Sequence, residues 1–88
     1  MQVKTNGAAA PQFNQLDRDT AFKYNGFIGI NPAETIERVS EAVFDLGYLC
    51  SLSAQHDMPL RPAAIYRFTN ILCAALEYEQ AKLKEMQS

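Results

Sequence analysis

Four groups of residues in this 88-residue chain have types that could do chemistry: His56 beside Asp57, the thiols Cys50 and Cys73, the carboxylates Glu34, Glu37, Glu41 and Asp45, and Arg61, Tyr66 and Arg67. A histidine next to an aspartate can support acid-base work when the carboxylate orients the ring. Adjacency in sequence does not create that geometry, and no recognisable motif sets a nucleophile beside His56, so it reads as an exposed loop or helix-end residue. One histidine and two separated cysteines fall short of a zinc ligand set. The four carboxylates recur at helical spacing and form an acidic strip with Arg38 as local partner. Lacking a Glu-x-x-His companion, the strip reads as a solvated face.

Arg61 and Arg67, with Tyr66 between them, make the one basic-aromatic cluster. It lies near a helix start, where a phosphate or carboxylate could be held. The chain has no glycine-rich phosphate loop, Gly-x-Ser-x-Gly, Cys-x-x-Cys or EF-hand pattern. The sequence therefore predicts no catalytic residue, no metal and no cofactor, with Arg61, Tyr66 and Arg67 as the only ligand candidates.

The elements that must position these residues are two apolar stripes at helical spacing. A helix over about 32–56 begins with Asn31 as N-cap, Pro32 at the first helical position and Glu34 at the third, a variant capping box. Its seam runs Ile36, Val39, Val43, Leu46, Cys50, with Gly47 beside it. The stretch 56–62 breaks the period, because Pro62 disfavours helical geometry at Arg61. A second helix over about 62–86 follows, with the seam Ile65, Phe68, Leu72, Ala75 or Leu76, Leu83 and Met86, interrupted by Glu79. An antiparallel hairpin would bring Lys82 and Lys84 toward Glu34, Glu37 and Glu41. It would also set Cys50 opposite about Phe68, too far from Cys73 for a disulfide, so both thiols are expected buried and reduced.

Before the hairpin, residues 1–21 show no period and are expected to form a flexible arm, with Phe13 and Leu16 as its only anchors for a partner; residues 22–88 make the domain. Asn25-Gly26 among apolar residues predicts a type I′ turn and a short β segment; the alternative is that Phe27, Ile28 and Ile30 form one extended segment laid over the helices or paired with the same segment of another subunit.

Phe27-Ile28-Gly29-Ile30-Asn31-Pro32, followed by the helix Glu34–Ala54 and a second apolar helix, resembles a family of short uncharacterised proteobacterial proteins. The likeness spans roughly residues 27–82, with Ala33 where that family carries glycine. It implies an N-terminal arm and two helices, and no activity.

Once the seams are used, Phe44, Tyr48 and Leu52 on the first helix and Ile71 and Tyr78 on the second remain over. A lone hairpin would leave them in water, and burying each large apolar side chain is worth about 1.5–3 kcal/mol. They form the expected assembly surface of a mainly α homodimer, a four-helix bundle. The expected function is a non-enzymatic protein–protein interaction or regulatory module. Two alternatives are an inhibitor of the phage or plasmid type acting on a host protein, and a small-ligand or nucleotide module at a subunit boundary. The net charge of −2 with scattered basic residues argues against nucleic acid. With no long apolar run and no signal-peptide pattern, the expected location is the cytoplasm, away from membranes.

Overall fold

The computed structural model describes residues 12–87, which contain a 3-10 turn, Phe13–Gln15, and three helices: α1, Arg18–Tyr24; α2, Pro32–His56; and α3, Pro62–Gln87. The architecture is mainly helical, with α2 and α3 folded into an antiparallel hairpin. No strand occurs among the described residues.

α2 starts where its local chemistry dictates. The Asn31 Oδ1 accepts from the Glu34 backbone N–H at 2.8 Å, with Pro32 at the first position. The Glu34 carboxylate reaches back one residue beyond the capping box, to the Ile30 N–H at 3.1 Å. α2 ends at Asp57, the only non-glycine residue with positive φ among those described, whose N–H returns to the Ser53 carbonyl. A short polar side chain tolerates this left-handed position better than a branched one. Pro62 opens α3.

Thr35 on α2 is bonded to Glu79 on α3, so the antiparallel register sets Val39 level with Ala75 and Ala42 level with Leu72. Those four residues are buried. Val39, Leu72 and Ala75 of the expected seams are thus core, while the core face of α2 is turned by about one residue to take in Thr35 and Ala42. Ile36 and Val43 stand on the rim instead, each more than half exposed.

Three expectations are corrected here. The segment 12–21 is structured: Asp17 caps α1 by accepting from the Thr20 N–H at 2.7 Å, and Ala21 is fully buried against the hairpin. The expected arm's first eleven residues lie outside the described residues. Phe13 and Leu16 pack on this chain's own core. The Asn25-Gly26 step makes no β-hairpin, because Asn25 is used differently. Its Oδ1 accepts from the Phe27 N–H at 3.0 Å, its Nδ2 donates to the Ile71 carbonyl of α3 at 2.9 Å, and Gly26 does not take positive φ. The turn folds the chain back onto α3 and drives Ile28 into the core. Cys50 and Cys73 are free, as expected, but both are exposed.

Candidate functional site

The densest polar cluster joins the N-terminal segment to the hairpin. Arg18 of α1 makes a two-pronged bond to Glu79, at 2.6 and 2.9 Å, and also donates to the Gly29 carbonyl at 3.1 Å. The Thr35 hydroxyl donates to the same carboxylate at 2.5 Å and accepts from the Gly29 N–H at 2.8 Å. Glu79 is only 3% exposed. Burial alone would raise its pKa, but the bonds from Arg18 and Thr35, with the charges of Arg18 and Lys82, hold it below the ordinary carboxylate value. Its bond to Glu79 in turn raises the pKa of Arg18 against a smaller opposing effect of burial.

Tyr78 lies beside this cluster, with no exposed surface. Its hydroxyl donates to the Leu16 carbonyl at 2.8 Å, Phe13 tilts against its ring, and Arg18 and Lys82 lie over it at 5.6 and 5.0 Å. On α2, Arg38 donates to the Gly26 and Ile28 carbonyls and pairs with Glu34 at 2.7 Å. These groups satisfy one another inside the chain. They form a clamp, and the acid-base and ion-binding capacity of their side chains is already committed.

The clamp covers one face of the hairpin. Arg38 on α2 and Tyr78 on α3 define that face. At 3.6 residues per turn, Val43 lies about 140° around α2 from Arg38, and Leu76 about 160° around α3 from Tyr78. Both helices therefore present a second face on the side away from the N-terminal segment. There Ile36, Val43, Leu76 and Leu83 are 38–54% exposed. Between the apolar residues α2 carries Ser40, Gly47, Cys50 and Ala54, all exposed, and α3 carries Thr69 and Gln80. No charged residue interrupts this face over the length of either helix.

The loop end is also open. Neither 46–56 nor 62–71 contains a buried residue. Leu46, Leu49, Leu60, Ala64 and Phe68 line an apolar cleft of about 230 Å³ there, with Arg61 at its edge.

The residues expected to form the assembly surface separate. Tyr78 is removed from it by correction: it is core, because the N-terminal segment supplies a third element that counting faces on two helices leaves out. Ile71 is partly exposed beside Phe13 and Tyr24, and its carbonyl is engaged by Asn25. Phe44 and Tyr48 are exposed on the outer ridge of α2, and Leu52 is half-buried.

The ligand candidates are not drawn together. Arg61 borders the apolar cleft, while Tyr66 and Arg67, both exposed, project about 100° apart on α3. His56 is exposed at the end of α2. Lys82 pairs with Glu85 on its own helix at 3.5 Å. Among the described residues no three of His, Cys, Asp and Glu converge as a metal site, and no helix is long and apolar enough to cross a membrane.

Sequence reasoning missed Arg18, Glu79 and the uncharged face. The first two lie 61 residues apart and share no local signal. The face carries one, since neither 46–55 nor the Ile36, Val43, Cys50 heptad row contains a charged residue.

Comparison of the chain with known protein families, with curated proteins and with solved structures finds no match.

Proposed function

We propose that the protein is a non-enzymatic helical interaction module that works by self-association in the cytoplasm, two hairpins stacking through their uncharged faces into a four-helix bundle. One observation carries this reading: Ile36, Val43, Leu76 and Leu83 stand exposed on a face free of charge along both helices, while the opposite face is covered by the chain's own N-terminal segment. Depletion of charge in a contiguous apolar patch is the compositional mark of an interface core.

The size of the patch supports the same reading. A helix of this length runs about 37 Å, and two helices packed about 10 Å apart present a face about 20 Å wide. That projected area is close to the roughly 800 Å² each partner contributes to a standard interface. The committed state of the polar groups in the clamp supports a binding role over a catalytic one.

The test is the V43E/L76E variant. Both positions are exposed, so the folded monomer should keep its helical circular dichroism. Light scattering after size exclusion should show a dimer for the natural chain and a monomer for the variant. A natural chain that stays monomeric at micromolar concentration removes the proposal.

A further inference from the structure

On the uncharged face of α2, residues alternate in size with a heptad period. Ile36, Val43 and Cys50 occupy one row and Ser40, Gly47 and Ala54 the next, and all six are exposed. The intervals of four and three residues are those of the two inward positions of a helix pair. A Cβ built on Gly47 meets nothing within 4 Å, so the chain's own fold does not require a glycine there. Among the described residues the missing side chain makes room for nothing.

We infer that α2 pairs antiparallel with α2 of a second copy, in three layers: Ile36 beside Ala54, Ser40 beside Cys50, and Val43 beside Gly47. This rests on the self-association proposed above and adds its register. In an antiparallel pair each layer takes one residue from each row, and the residue numbers of a layer have a constant sum. With that sum at 90, each member of the larger row meets one of the smaller row, the alternation that fills a core without voids. Because the relation is symmetric, the three layers occur twice, as a two-fold interface requires.

A parallel pair would set Gly47 on Gly47 and Val43 on Val43, alternating a gap with a crowded layer. Charge selects the same direction. Glu34, Glu37, Glu41 and Asp45 lie in the first half of α2 against Arg38 alone, and 46–55 carries no charge. Antiparallel pairing lays the acidic half of each α2 along the neutral half of the other, and parallel pairing would bring the two acidic halves together.

The sharpest probe is G47V. Valine at this position has free space in the monomer and better helix propensity than glycine, so at a concentration where both chains are monomeric the variant should melt no lower than the natural chain. Between two copies it meets Val43, and the dimer dissociation constant should rise about tenfold or more. The swap V43G/G47V restores one large and one small residue to each layer and should recover dimerisation to near the natural level.

Oxidation with glutathione disulfide supplies a second readout. The S40C variant should form an intermolecular disulfide between its introduced thiol and Cys50, identified by peptide mass mapping, and A54C should not link to Cys50. A natural chain that remains monomeric would remove the underlying self-association. A dimer unaffected by G47V, or one in which S40C fails to link to Cys50, would overturn the register while leaving self-association intact.

Discussion

The two faces of the hairpin are built from the same two helices and differ in what completes them. On the covered face the chain supplies its own third layer: Ala21 and Ile28 fill the groove, Tyr78 is sealed by Phe13, and Arg18 reaches 61 residues along the sequence to neutralise Glu79. On the other face Ile36, Val43, Leu76 and Leu83 are left 38–54% exposed by the described residues. The covered face is specific and polar at its edges, because a single segment must be held in one place. The bare face is charge-free, mixes apolar with small polar residues and is periodic, as suits a partner with the same periodicity. Stability within the chain and association between chains are thereby assigned to opposite sides of one element pair.

Substitutions that act on one face and spare the other break or sharpen this contrast. The largest expected effect is Tyr78→Ala on the covered face. Loss of a fully buried aromatic costs about 3–5 kcal/mol, to be read from urea unfolding. Tyr78→Phe removes only the bond to the Leu16 carbonyl and should cost about 1 kcal/mol.

Next is Arg18→Met, which leaves the Glu79 carboxylate buried without its main partner and should cost about 2–4 kcal/mol. Hydrogen exchange should then show residues 13–30 losing protection ahead of α2 and α3. The same clamp gives a pH dependence. The folded pKa of Glu79 lies below its ordinary value of 4.5, so its contribution is complete above about that pH and disappears as pH falls through the lower folded value. In Arg18→Met this part of the acid dependence should shrink, and an unchanged acid profile would show that the ion pair does not hold the segment.

A smaller loss, about 1–3 kcal/mol, is expected of Gly29→Ala. Its new Cβ would lie 2.6 Å from the Cβ of Glu34, an atom near the backbone that cannot swing away. Smallest is Val43→Ser on the bare face. An exposed position should move monomer stability by no more than about 0.5 kcal/mol while weakening association. A large loss of monomer stability there would mean that the face is already packed within one chain.

The hairpin was legible because its punctuation is local. Asn31-Pro32 and Pro62 mark the helix starts, and the apolar period spans both helices. The covered face was not, for a physical reason. Helical spacing alone places Tyr78 outside the α3 seam and makes Glu79 an interruption, since a helix wheel reports contact with one neighbour. Here α3 has two neighbours, and the second is a segment whose short helix carries too few apolar residues to show a period. Asp17 followed by Thr20 was the available hint of a helix start. Asn25-Gly26 misled in the opposite direction, because a turn-forming asparagine can also reach across to a neighbouring helix, and its bond to the Ile71 carbonyl depends on tertiary placement. The assembly surface was expected on α2's outer ridge, at Phe44 and Tyr48. With the core face of α2 rotated by about a residue, the continuous uncharged surface is the flank carrying Ile36 and Val43.

The central claim is that the bare face is closed by a second copy of the chain. The mass of the natural protein at micromolar concentration, measured by light scattering during size exclusion, tests it most directly. A mass near twice the 9.8 kDa of the chain, reduced to one chain by V43E/L76E with helical content kept, is the predicted result. A well-folded natural protein at the mass of one chain would contradict it.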